Sequence, residues 1–95
     1  EQDLVLNPKN EKSYLYLSKI FNDQKKNKLE EQNLNSVILL NPKNEEAIYN
    51  LAKLKLSKSD YENSIKLIDQ VLVFCKNYCQ KSTELKKEIE NSQKK

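Results

Sequence analysis

Leu40-Asn41-Pro42-Lys43-Asn44-Glu45 repeats, residue for residue, the hexapeptide Leu6-Asn7-Pro8-Lys9-Asn10-Glu11 that stands 34 positions earlier. The 2 prolines of the chain both fall inside it, so chance in a Lys- and Asn-rich composition is a poor explanation. Proline lacks a backbone N–H and disfavours helix in the residue before it, so Leu40-Asn41 should end one helix. Asn44 is then placed to cap the next. The hexapeptide reads as a hinge between helices, and its recurrence predicts an all-α chain built from a repeated helical pair.

Working outward from the hinges, a large residue, a leucine, a small residue and an aromatic recur at fixed offsets. Tyr14, Leu17, Ser18 and Phe21 fill these positions after the first hinge. Ile48, Leu51 and Ala52 fill three of them after the second, with Lys55 in place of the aromatic. Tyr61 and Ser64 then open a second helix with an aromatic and a small residue, followed by Ile68, Val71 and Leu72; the earlier copy has Asn27 and Glu30 there, followed by Leu34, Val37 and Ile38. In period and in these residues, the stretch from about 11 to 78 resembles the tetratricopeptide repeat (TPR) family. The turn Ser57-Lys58-Ser59-Asp60 lacks that family's glycine. The resemblance implies an antiparallel helix-turn-helix array, a TPR-like α-solenoid wound as a right-handed superhelix.

The chain divides accordingly into a repeat over 11–44, a repeat over 45–78 and a capping helix over 79–91, with a disordered tail at 92–95. Leu4, Val5 and Leu6 align with Ile38, Leu39 and Leu40, so residues 1–6 read as the end of a preceding repeat helix. Two repeats bury little by themselves, since about three are needed for independent stability. Asn27 and Glu30 have the spacing of a capping box, worth about 1 kcal/mol, which would account for their departure from the family pattern. In the last segment Tyr78, Ser82, Leu85 and Ile89 form one narrow stripe, as a solenoid-terminating helix requires. At the third hinge Lys76 stands where proline should recur, so this turn has lost its breaker and could open into a continuous helix.

Composition limits the functions available. The net charge of +3 comes from lysine without any arginine, and acidic residues are interspersed with the lysines along the chain. A nucleic-acid surface would need a basic stripe with interleaved aromatics, so no nucleic-acid partner is expected. No apolar run approaches the roughly 20 residues that span a bilayer, and no membrane insertion is expected. With no histidine and no glycine there is no phosphate loop and no acid–base or nucleophilic constellation, so neither an enzyme nor a cofactor site is expected. Cys75 and Cys79 lack further ligands for a metal, and a disulfide between adjacent helical turns would need backbone distortion. They read as reduced thiols, which favours an intracellular, cytoplasmic setting.

What remains is binding of a protein or peptide. In tetratricopeptide arrays the first helix of each pair lines a concave groove. The resemblance carries that role to Lys12, Leu15, Tyr16 and Lys19, and to Glu46, Tyr49, Asn50 and Lys53. Gln80, Thr83, Glu84 and Lys87 are added from the cap. Lys12, Tyr16, Lys19, Tyr49, Asn50 and Lys53 are the partner-binding residues this implies, through stacking, backbone hydrogen bonds and carboxylate pairing. The carboxylate clamp with which some family members hold acidic chaperone tails is disfavoured. Only Asn50 matches it, and Gln80 and Glu84 stand where cations belong. Two alternatives differ in kind: a structural segment that stacks on its own chain or on a copy of itself, and the accessory arm of an upstream enzyme such as a prolyl isomerase or phosphatase.

Overall fold

A computed structural model describes residues 10–94, and among these the chain is all-α. The expected helix end over 1–6 and the first four residues of the first hinge lie outside the described residues. Five helices follow one another: α1 (Glu11–Asp23), α2 (Asn27–Leu40), α3 (Glu45–Ser57), α4 (Tyr61–Phe74) and α5 (Cys79–Gln93). The bounds of α3 and α4 are those of α1 and α2 moved by 34 residues, and α5 begins 34 residues after α3. Each helix packs on the next, and α5 also touches α3.

The helix starts follow from local chemistry. Asn10 and Asn44 cap α1 and α3, their side chains accepting from the backbone N–H of Ser13 at 3.1 Å and of Ala47 at 2.9 Å. Such caps satisfy donors that the first helical turn leaves unpaired. Asp60 caps α4, accepting from the Asn63 N–H. The expected Asn27–Glu30 capping box does not form. Lys26 holds the cap position of α2 without a side-chain bond, and Glu30 is buried at 3 % exposure with a different partner.

The turn inside each helical pair is built the same way twice. Lys26 N–H donates to Phe21 O at 2.9 Å and Lys25 N–H to Asn22 O at 3.0 Å. In the second pair Asp60 N–H donates to Lys55 O at 2.8 Å and Ser59 N–H to Leu56 O at 2.9 Å. This closure requires a left-handed residue just past the helix, normally glycine. Lys25 (φ 59°) and Ser59 (φ 61°) adopt it here, 34 residues apart.

Among the described residues two clusters of buried side chains stand out, and Leu67 packs against both. Leu34, Val37, Ala47, Leu51 and Leu54 join α2 to α3, with Tyr14 and Leu15 of α1 packed against them. Ala52, Ile68, Leu85 and Ile89 join α3, α4 and α5. The helical pair needs a small residue where its axes approach. Ser64 supplies it, its hydroxyl donating to Ala52 O at 2.6 Å in a fully buried contact. Lys55, in the aromatic's place, instead donates to Glu31 Oε2 at 2.9 Å, while Lys58 donates to Oε1 at 2.8 Å. That fork ties α2 to the end of α3 and holds the Glu31 carboxyl below its usual range, chiefly through Lys58 and then Lys55.

The last two elements depart from expectation at their junction. Cys75 and Cys79 are joined in a disulfide, with Cα atoms 5.3 Å apart, rather than standing as reduced thiols. The distortion that a bond between helical turns would demand is met because residues 75–78 are not helical. The paired cysteines therefore give no sign of a reducing compartment. Helix α5 runs to Gln93, past residue 91, so 92 and 93 are helical rather than a disordered tail. Among the described residues no helix is long and apolar enough to cross a membrane.

Candidate functional site

The repeated hinge decides where the groove lies. Glu11 and Glu45 open α1 and α3, where a carboxylate suits the positive end of the helix dipole. Each reaches the turn that follows its own helical pair. Glu11 Oε2 accepts from Nδ2 of Asn41 at 2.9 Å and from Nδ2 of Asn44. Glu45 Oε1 accepts three backbone N–H groups, from Lys76 at 2.9 Å, Asn77 at 3.0 Å and Tyr78 at 2.9 Å. The third hinge offers that first N–H because it carries lysine where the second carries proline. Burial raises the Glu45 pKa, but the three N–H donors and the Lys76 charge outweigh it and hold the carboxyl below its usual range.

With the hinge gathered in, Tyr78 faces Tyr49 of α3, their ring centroids 5.3 Å apart and the planes tilted by 49°. Lys53 Nζ sits 5.7 Å from the Tyr49 ring centroid and Lys81 Nζ 5.1 Å from that of Tyr78, both within cation–π range. The pair forms one wall of a concave groove of about 700 Å3. Burial, followed by Glu88 and Glu84, raises the Tyr49 phenol pKa; burial, followed by Glu46, raises that of Tyr78. Both therefore stand as neutral phenols able to donate to a carbonyl.

The rest of the groove lining is polar. Asn22 Nδ2 donates to both oxygens of Glu30, at 3.1 and 3.3 Å. Asn22 and Glu30 occupy the places of Leu56 and Ser64 in the second pair, where the Ser64 hydroxyl instead donates to Ala52 O. Burial raises the Glu30 pKa, opposed first by the Asn22 bond and then by Lys53 and Lys58. Lys19 Nζ lies 2.6 Å from Glu46 Oε2 across the groove, and Asp23 and Glu84 also line it.

Of the residues expected to bind a partner, Lys19, Tyr49, Asn50 and Lys53 line the groove. Lys12 and Tyr16 do not; Tyr16 is 54 % exposed on α1, away from it. Leu15 is turned into the first core cluster. From α5 only Glu84 of the expected set lines the groove, while Gln80 donates to Glu84 and Thr83 to its own helix at Cys79 O. Sequence reasoning missed Tyr78 and Lys81. Tyr78 reads as part of the buried stripe of the last helix, yet it stands just before that helix, at the repeat position of Asn44. That registration was the available signal.

Chemically the arrangement offers two aromatic faces, two phenol donors, the Asn50 amide and charges of both signs. Among the described residues no cluster of His, Cys, Asp and Glu is arranged to hold a metal ion. Neither the family models nor the curated proteins contain a match to this chain.

Proposed function

We propose that the chain is a TPR-like interaction module, a right-handed solenoid segment without catalytic activity, and that its groove holds an extended peptide from a partner protein. The Tyr49–Tyr78 pair supports this reading most directly. Two rings in tilted contact, each with a lysine at its face, form a pre-set platform on which a side chain stacks while the phenols and Asn50 address the peptide backbone. The groove is not a cationic clamp. Lys19 is paired with Glu46, and Glu84 faces the space where an acidic tail would need positive charge.

The test is selection of binders from a random peptide library, followed by calorimetry with the wild type and with Tyr49→Ala and Tyr78→Ala. Each loss of a ring should weaken binding roughly tenfold or more, as truncation of an aromatic anchor does. Peptides whose affinity survives both substitutions would overturn the groove reading.

A second reading is self-association. Leu39 (84 % exposed) and Val73 (85 %) hold the same repeat position on α2 and α4 and point away from the core. Exposed apolar residues repeated at one register are what a stacking face would present. Sedimentation equilibrium across a concentration series separates the two: a monomer whose binding depends on Tyr49 excludes stacking, whereas dimerisation lost in Leu39→Lys, Val73→Lys favours it.

A further inference from the structure

The third hinge differs from the second in one consistent way. Phe74-Cys75-Lys76-Asn77-Tyr78-Cys79 stands in register with Leu40-Asn41-Pro42-Lys43-Asn44-Glu45, so the cysteines take the places of Asn41 and Glu45, and lysine that of the proline. In the second hinge Pro42 enforces the break by holding Asn41 extended. Nothing in the residues of the third hinge does so. Cys-Lys-Asn-Tyr has neither proline nor glycine, so the extension of α4 and α5 toward each other across it is opposed from outside those residues' own preferences, by the Glu45 clasp and by the disulfide. Cys75 is nonetheless extended, at φ −60° and ψ 148°, a conformation suited to a residue before proline. The disulfide closes this four-residue turn, and Tyr78 lies inside it.

Resting on the groove reading above, we propose that the Cys75–Cys79 bond is a redox control on the groove, replacing the missing proline and holding Tyr78 against Tyr49. Both cysteines are half-buried rather than sealed in the core, so a dithiol has access to them. A dithiol supplies two electrons and two protons: the S–S bond breaks, both cysteines become thiols, and the reagent closes to its own disulfide. The freed segment then extends α4 by helical hydrogen bonding. The N–H groups of Lys76, Asn77 and Tyr78 turn from Glu45 to the carbonyls of the preceding turn, and the Tyr78 ring leaves Tyr49. Leu85 and Ile89 stay buried against Ala52 and Ile68, so the change is confined to the hinge and the groove wall.

The experiment is NMR on the full chain, oxidised and then in dithiothreitol, reading the Tyr49–Tyr78 ring cross-peaks, the 76–78 amide shifts and the Cys carbon shifts. Expected are a disulfide and ring cross-peaks in the oxidised chain, and loss of those cross-peaks with shifted 76–78 amides after reduction. Ring cross-peaks and amides unchanged on reduction would overturn the proposal, as would an oxidised chain with free thiols. Lys76→Pro, which restores the breaker, should keep the cross-peaks in dithiothreitol; their loss in that variant would also overturn it. These readouts need no ligand, so a switch that fails here leaves the groove reading intact. Failure to select any peptide in either redox state counts against the groove alone.

Discussion

Glu11 and Glu45 stand 34 residues apart and make the same kind of long-range bond, each accepting hydrogen bonds from the hinge that follows its own helical pair. A helix-opening carboxylate thereby fixes where the next helix starts. The donors differ because the hinges differ: two asparagine side chains where proline removes a backbone donor, and three backbone N–H groups where lysine restores it. Through the second of these clasps the α3 N-terminus sets the position of Tyr78, and with it one wall of the groove.

Glu45→Ala should therefore destabilise the chain by about 1–2 kcal/mol, since three hinge donors lose a charged acceptor and part of that loss is recovered from water. Glu45→Gln keeps an acceptor and should lose about half as much. The folded-state pKa of Glu45 is lowered, so its contribution is whole above the ordinary value of 4.5 and fades as pH falls through the lowered one. Urea unfolding of the two variants between neutral and acidic pH checks both statements. A Glu45→Ala chain as stable as wild type at neutral pH would dispose of the clasp.

Asn10 and Asn44 cap equivalent helices but are not equivalent. Asn10 caps α1 alone among the described residues, whereas Asn44 also donates through Nδ2 to Glu11. Aspartate keeps the cap acceptor and suits the helix dipole, so Asn10→Asp should be neutral or stabilising by a few tenths of a kcal/mol, about +0.3. Asn44→Asp loses the donor and sets a carboxylate against Glu11, and should destabilise by about 1 kcal/mol or more. Thermal unfolding in low salt gives the comparison; equal effects at the two sites would refute it.

Lys25 and Ser59 hold a left-handed conformation that a Cβ makes unfavourable. Lys25→Gly and Ser59→Gly should each stabilise by about 0.5–1 kcal/mol, after allowing for glycine's greater freedom in the unfolded chain. Stabilities of the single and double variants should add, because the turns belong to different helical pairs. Destabilisation in both would mean that these turns are not left-handed in solution.

The helical framework was legible in the sequence because its signals are local. The cap asparagines and the helical spacing of the apolar residues depend only on chain geometry, and α1 and α3 begin where Asn10 and Asn44 place them. Helix-to-hinge bonds were not legible. Nothing near Glu11 or Glu45 in sequence shows a partner more than 30 positions away. Helical spacing argues against a Cys75–Cys79 bond only where the intervening turn is helical, and residues 75–78 are not. Asn27 and Glu30 suggested a cap because the spacing fits one, but a buried site beside Asn22 competed for the carboxylate and won.

That last competition yields a prediction opposite in sign to the one for Glu45. Glu30 is buried at 3 % exposure, and burial raises its folded-state pKa against the opposing Asn22, Lys53 and Lys58. A carboxyl whose folded pKa is raised binds its proton more tightly in the native state than in the unfolded one. Its charge therefore works against folding at neutral pH, and the penalty lifts as pH falls through the raised value toward the unfolded 4.5. Glu30→Gln retains an oxygen to accept from Asn22 and carries no charge to desolvate. It should match or exceed wild-type stability at pH 7, by up to about 1 kcal/mol, and lose that advantage as acid protonates Glu30 in the wild type. Glu30→Ala, by contrast, strips Asn22 of its acceptor and leaves a gap between α1 and α2, and should destabilise at every pH by about 1–2 kcal/mol. Denaturant midpoints of the three chains from pH 7 downward distinguish these. If Glu30→Gln lost stability at pH 7 and recovered in acid, the carboxylate would be stabilising through Lys53 and Lys58, and burial would not be the dominant influence on it.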